Sequence, residues 1–184
     1  MSNIPDSIIV VENLSHQYAN GTYSLKNISL SCRRGDKIAI LGANGSGKST
    51  FLQHLNGLIL PQYGQVTIAG VPISKKTLPH IRERVGFVFD HPDDQLFSSS
   101  VFEDIAFGPR NLNWPNHRVL ERVQEVLHAF ELTSLSERAP YHVSLGQKKK
   151  VAIAGVLAME PDILVFDEPF SGLDAYTVGH LTDL

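Results

Sequence analysis

Residues that could do chemistry gather in two places. The first is Gly42-Ala43-Asn44-Gly45-Ser46-Gly47-Lys48-Ser49, with Thr50 behind it, a run that fits G-x-x-x-x-G-K-[ST]. Its glycines let the main chain turn N–H groups inward around a string of phosphates, and a helix start behind them adds partial positive charge. Lys48 would neutralise the terminal phosphates. The Ser49 hydroxyl is a hard oxygen donor of the kind Mg2+ prefers when it arrives with a nucleotide. The second place is Ile163-Leu164-Val165-Phe166-Asp167-Glu168, four apolar residues ending in two adjacent carboxylates ahead of Pro169. Neighbours on a strand point opposite ways, so the two acids cannot share one job. Asp167 is suited to hold Mg2+ through water, and Glu168 to polarise an attacking water as general base.

These groups need rigid elements behind them. The apolar run at 37–41 is of buried-strand type and residues 49–55 carry helical apolar spacing, so the glycine loop lies between a strand and a helix. Residues 163–166 read as a buried, parallel-type strand. Strands are also expected at 8–11 and 25–30, joined by a segment with the hairpin signal Asn20-Gly21, and Tyr18 on the first arm offers a face on which an adenine ring could stack. Gly57 and Pro61 break the pattern before strands at 64–69 and 85–89, the last ending at Asp90.

From there the chain turns helical. His91 to Gln95 is a polar turn, and Ser100-Val101-Phe102-Glu103 is a capping box opening a short helix to about residue 107, with Pro109 and Pro115 framing a loop. Val119, Leu120, Val123, Val126, Leu127 and Phe130 recur at three- and four-residue spacing, the core face of an amphipathic helix. A second capping box, Ser144-Leu145-Gly146-Gln147, opens a largely apolar helix to about residue 159. Lys148, Lys149 and Lys150 in its first turn oppose the helix dipole and read as a solvated basic turn, or else as an attractor for a negatively charged nucleotide.

Composition narrows the classes. At 184 residues, 42% hydrophobic and 19% charged, the chain is long enough for one globular domain with a sizeable core. A net charge of −3 supplies no basic field, so nucleic acid is not an expected partner. The single cysteine, Cys32, cannot form an internal disulfide and fits a reducing compartment. No secretion signal is expected at the start, and no apolar run approaches the roughly 20 residues that span a bilayer. The eight histidines form no zinc-type spacing with Cys or acidic residues.

On these residues the chain resembles the ATP-binding subunit of ABC transporters, most closely the energy-coupling-factor type that serves cobalt, nickel or vitamin uptake. Beside the phosphate loop (Walker A) and the acid-tipped strand (Walker B), Val143-Ser144-Leu145-Gly146-Gln147 is similar to the ABC signature and Ser171-Gly172-Leu173-Asp174 matches the D-loop. Pro92-Asp93-Asp94-Gln95-Leu96-Phe97 and Phe102-Glu103-Asp104-Ile105-Ala106-Phe107-Gly108-Pro109 are similar to stretches of the coupling-factor subgroup.

The resemblance implies an α/β P-loop NTPase fold over 1–184, with a mixed-sheet core, an N-terminal antiparallel β part and an inserted helical lobe at about 90–159. It implies ATP and Mg2+ as cofactors, an ATPase activity coupled to transport, and a head-to-tail pair with a second ABC ATPase subunit, identical or not. Each ATP then lies between one Walker A and the other signature, and an integral membrane transporter subunit docks this peripheral subunit to the cytoplasmic face of the cell membrane. Carried over residue by residue, it gives nucleotide contacts at Tyr18, Gly42, Ala43, Asn44, Gly45, Ser46, Gly47, Lys48, Ser49 and Thr50, and Mg2+ contacts at Ser49 and Asp167. Glu168 becomes the catalytic residue, Ser144, Leu145, Gly146 and Gln147 the signature, Asp90 the coupling hinge and Asp174 the D-loop acid. Leu96, Phe97, Val101, Phe102 and Ile105 would line the groove for a helix of the membrane subunit.

Three departures shape the expectations. Asp90 stands where the family has glutamine, and its extra charge near phosphates would cost about 2–3 kcal/mol at ~6 Å in an effective dielectric of ~20. Leu145 replaces a signature glycine. The chain ends at Leu184, before the family's switch histidine and the strand that precedes it, for which His180 is a poor substitute; a fragment or truncated product is therefore expected. Two other readings follow: a nucleotide-binding remnant without catalysis, and a soluble ABC ATPase outside transport, disfavoured because too few residues separate Lys48 from Ser144 for a long coiled coil.

Overall fold

Val11 is buried between the more exposed Val10 and Glu12, but Leu14 and His16, also buried, have the opposite parity. A strand can do this only if one residue is spent in a bulge. Asn13 takes that place, with φ 51° and a register shift between Val11 and Leu14. The computed structural model describes residues 7–172, and the chain divides into two units, Met1–Val85 and Gly86–Leu184.

In the first unit, strands β1 (Ser7–Gln17) and β2 (Tyr23–Arg33) form an antiparallel hairpin. Its turn is closed by Gly21 N–H to the Tyr18 carbonyl and Tyr18 N–H to the Thr22 carbonyl, each 2.9 Å. Strand β3 (Tyr63–Ile68) pairs antiparallel with the other edge of β1, and the short β4 (Val71–Pro72) follows, giving the order β2-β1-β3-β4. Helices α1 (Lys48–Leu55) and α2 (Leu78–Arg84) complete the unit. The strand expected at 37–41 is not formed: these residues carry no strand assignment, and Leu41 is 90% exposed. An apolar run expresses a preference for a pleated, covered surface, but it cannot supply its own ladder partner, and no described strand pairs with it.

The second unit contains β5 (Val85–Val88), helices α3 (Val101–Asn111), α4 (Asn116–Ala129) and α5 (Leu145–Leu157), and β6 (Ile163–Phe166), which pairs with β5. Val101, Ile105, Val119, Val123, Val151 and Ala154 are wholly buried in one core. The α4 stripe lies inward as its spacing predicts, except Leu120, which is exposed.

Three local expectations change. Helix α3 runs through Pro109 to Asn111 and does not stop near residue 107. Proline removes one donor and crowds the carbonyl four residues back, but Pro109 is buried on the same face as Ile105, and the helix ends soon after. The capping box at its start is half made. Ser100 Oγ accepts from Glu103 N–H at 3.3 Å, while the Glu103 carboxylate reaches forward to the Arg110 guanidinium. Strand β6 buries only Val165, so it is one-faced where an apolar run on its own reads as covered on both sides.

Candidate functional site

The phosphate loop is built by close approach. Gly47 has φ 96°, and a Cβ there would lie 2.3 Å from the carbonyl oxygen of Ser24, so no other residue fits without moving β2. Gly47→Ala should therefore lower the melting temperature by at least about 5 °C, measurable by thermal unfolding, since strained overpacking costs about 1–3 kcal/mol and a left-handed φ adds to it. Ser46 N–H bonds the Ala43 carbonyl at 3.1 Å, and the first turn of α1 closes with Phe51 N–H on the Gly47 carbonyl at 2.8 Å. Lys48 curls back so that Nζ donates to the carbonyls of Gly42 (3.0 Å) and Ala43 (3.2 Å). The ammonium thus sits over the loop whose glycines could receive phosphate oxygens, with Ser49 exposed beside it.

Tyr18 is 46% exposed, leaving part of its ring open, and its hydroxyl shares a 2.7 Å hydrogen bond with Thr50 Oγ1. That contact ties the aromatic residue to the helix behind the loop. His16 packs edge-on against Tyr18 (centroids 5.1 Å apart) and against His54 (5.2 Å). His54 is buried, and because a carbonyl can only accept, its 2.7 Å contact with the Thr50 carbonyl puts the proton on Nδ1. Nε2 has no partner among the described residues.

Burial pushes His54 below the ordinary histidine range; the bond to Thr50 pulls the other way and neighbouring His16 adds to the fall. Folded, His54 is neutral where the unfolded chain has begun to take up a proton. Its contribution to stability is therefore full above about pH 6.5 and lost as pH falls below that value. Melting curves from pH 7.5 to 5.5 should fall more steeply for the native chain than for His54→Gln; equal slopes would show that His54 does not titrate there.

In the second unit the adjacent acids lie just past the end of β6 and separate, but not by the strand alternation expected of them, since Glu168 leaves the extended conformation. Asp167 is 7% exposed and its N–H donates to the Val88 carbonyl at 3.0 Å, whereas Glu168 is exposed and takes φ 45°. The signature segment forms the expected capping box: Gln147 N–H to Ser144 Oγ at 3.3 Å, and Ser144 N–H to Gln147 Oε1 at 2.9 Å. Leu145 is exposed on the first turn of α5 and Gly146 is half-buried.

The three lysines that follow are not a solvated turn. Lys148 Nζ lies 2.5 Å from Asp93 Oδ1, and Lys150 Nζ lies 3.7 Å from Glu131 Oε2. Lys149 is 4% exposed, and its Nζ donates to the carbonyls of Glu168 (3.4 Å) and Pro169 (3.2 Å) and to Ser171 Oγ (3.1 Å). Asp90 Oδ1 accepts from the Ser171 hydroxyl and lies 3.9 Å from the Lys149 ammonium. Burial pushes Lys149 below the usual lysine range, while Asp90 and Glu168 hold it up. The charge expected to make Asp90 costly thus has a counter-ion in its own unit. Sequence reasoning missed Lys149, although a signal existed: with Ala152, Ile153 and Val156 it forms the i, i+3, i+4, i+7 stripe that α5 buries.

The expected aromatic groove divides. Val101 and Ile105 are core, Leu96 and Phe102 are half-buried against it, and Phe97 (68% exposed) meets Phe107 edge-on with centroids 4.8 Å apart. Of the D-loop, Ser171 and Gly172 are described; Asp174 and His180 lie outside the described residues.

The ABC transporter family profile matches residues 25–171, spanning the phosphate loop, the signature and the acid-tipped strand. The chain belongs to the ABC transporter family. Among ABC relatives it is 50% identical over 172 residues to the energy-coupling factor transporter ATP-binding protein EcfA of Methanothermobacter thermautotrophicus, an alignment covering 92% of this chain and 55% of that one. Its structure is similar to cbiO1 from Clostridium perfringens, part of the ABC transporter complex cbiONQ, with a TM-score of 0.84, 43% identity and coverage of 97% of this chain and 72% of that one. It is also similar to an ATP-binding cassette solved as a dimer in a post-hydrolysis state with ADP and Pi (TM-score 0.86, 28% identity, 95% and 80% covered). The fold is therefore that of an ABC ATPase, mixed α/β with an antiparallel sheet and helices. The chain spans 55%, 62% and 63% of the length of three curated EcfA relatives.

Proposed function

We propose that the protein is the ATP-binding subunit of an energy-coupling-factor type importer, binding and hydrolysing Mg·ATP in a head-to-tail pair of ATPase subunits to power uptake of a metal ion or vitamin. The observation that carries this reading is the glycine loop at 42–47 with the Lys48 ammonium folded over it at the start of α1. Main-chain amides and Lys48 bind the phosphates, and the open part of the Tyr18 ring, fixed through Thr50, receives the adenine.

The Ser49 hydroxyl in the first unit and the Asp167 carboxylate in the second are each hard oxygens of the kind Mg2+ takes beside nucleotide phosphates, and the family resemblance assigns both to that ion. Arriving with the nucleotide, Mg2+ would supply charge neutralisation to the phosphates. Glu168, exposed where its neighbour is buried, takes the proton of the attacking water. Ser144 and the capped start of α5 offer an anion site for a partner's γ-phosphate.

The Phe97–Phe107 pair presents an apolar surface for the membrane subunit at the cytoplasmic face of the membrane. No helix among the described residues is long and apolar enough to cross a membrane. The names of the relatives support the coupling-factor assignment.

Titration with ATP in the presence and absence of Mg2+, run beside a phosphate-release assay, tests the reading. Magnesium-dependent binding with steady release supports it, and no magnesium-dependent binding overturns it. A second reading, binding without turnover, draws on Asp90, an acid where the family resemblance leads one to expect a neutral glutamine. Saturable binding with no phosphate release would select it.

A further inference from the structure

Lys149 is the feature of the second unit that catalysis as proposed does not use. An ammonium has three donors and no acceptor, and burying one is costly unless every proton finds an oxygen and the charge finds a partner. Here both conditions are met by groups far apart in sequence. The main-chain oxygens of Glu168 and Pro169 and the hydroxyl of Ser171 take the protons, and Asp90 lies 3.9 Å away as counter-charge. Ser171 closes the ring by donating to Asp90.

The loop so gripped has reason to be held. Glu168 has φ 45°, a left-handed conformation that costs an ordinary residue about 1–2 kcal/mol and persists only where surroundings enforce it. The loop's own bond, Ser171 N–H to the Glu168 carbonyl at 3.1 Å, is a single turn contact. We propose that Lys149 is a positioning residue: together with Asp90 and Ser171 it clamps the loop 168–171 to helix α5 and to the corner after β5, setting the direction of Glu168. The clamp rests on the proposed function only in giving Glu168 a task. Replacing Asp90 by a neutral amide would remove the carboxylate 3.9 Å from the ammonium, so the two residues act as a pair.

Hydrogen exchange on the whole chain tests the clamp without reference to turnover. In Lys149→Met the amides of Glu168, Phe170 and Ser171 should exchange about tenfold faster or more, while those in the middle of α4 follow only the change in global stability. Lys149→Met and Asp90→Asn should each lower the melting temperature, the second by more, because it leaves the buried ammonium without its nearest carboxylate, whereas Asp90, 32% exposed, keeps contact with water. The double variant should recover a large part of that loss and still exchange fast at 168–171, since the anchored carbonyls remain unheld. Strictly additive losses, or loop exchange unchanged in Lys149→Met, would overturn the proposal.

Should Lys149→Met not fold, Ser171→Ala reads the same clamp. It should speed loop exchange several-fold with a small melting shift, and no change in exchange there would also overturn it. Where phosphate release is measurable, Lys149→Met should reduce kcat about tenfold with KM for Mg·ATP within about threefold. A native chain that binds and releases nothing would sink the proposed function, while the exchange data would still decide the clamp.

Discussion

Lys48→Ala should weaken binding of Mg·ATP by at least about 30-fold, the low end of what removing one partner of a hydrogen-bonded charge pair costs. The unliganded protein should change little. The two bonds Lys48 makes to the Gly42 and Ala43 carbonyls are exposed, and such contacts contribute about 0.5–1.5 kcal/mol each at most. The contrast shows in melting curves. At a ligand concentration about 100 times the native Kd, nucleotide should stabilise the native chain by about 2.7 kcal/mol and the variant by only about 0.9 kcal/mol. Affinity undiminished by the substitution would mean that the glycine loop is a turn and not a phosphate cradle, and the functional reading would go with it.

Glu168→Gln should lower the rate of phosphate release by at least about 100-fold while leaving nucleotide affinity intact, so that ATP accumulates on the protein. A positioned general base contributes about 10²–10⁴ in rate, and glutamine keeps the shape and the acceptor oxygen while losing the charge that takes the proton. Glu168 is exposed and its neighbour Asp167 is the buried acid, so the variant should fold with a stability change within about 0.5 kcal/mol. Single-turnover measurements with Mg·ATP separate binding from chemistry. Unchanged turnover in a hydrolytically active protein would remove Glu168 from the mechanism and move attention to another base.

Much was legible in the amino-acid order because the signals concerned are local. The G-x-x-x-x-G-K-S run, the Ser144–Gln147 capping box and the stripe on α4 all follow from spacing within a few residues. The backbone geometry of helices and strands converts that spacing into faces without help from distant chain. The same holds for β1, β2 and β3, whose apolar residues and turn signals declare strands. The bulge at Asn13 lay hidden, since register depends on the strand opposite.

What only the tertiary structure decided concerns partners. Residues 37–41 have strand composition but no ladder, because pairing needs a neighbour; β6 buries one face, because cover comes from elsewhere. Lys149 looks like one of three surface lysines until Glu168, Pro169, Ser171 and Asp90 are seen to surround it. Asp90 likewise reads as an unwelcome charge until its counter-ion appears. Tyr18, Thr50, His16 and His54 are unrelated in sequence and contiguous in space. Sequence alone thus specified which chemistry this chain carries, since phosphate loops, caps and paired acids are short-range patterns. The third dimension determined which charges are neutralised and which side chains are held, since Coulomb energy and desolvation depend on what lies across a gap and not on what comes next in the chain.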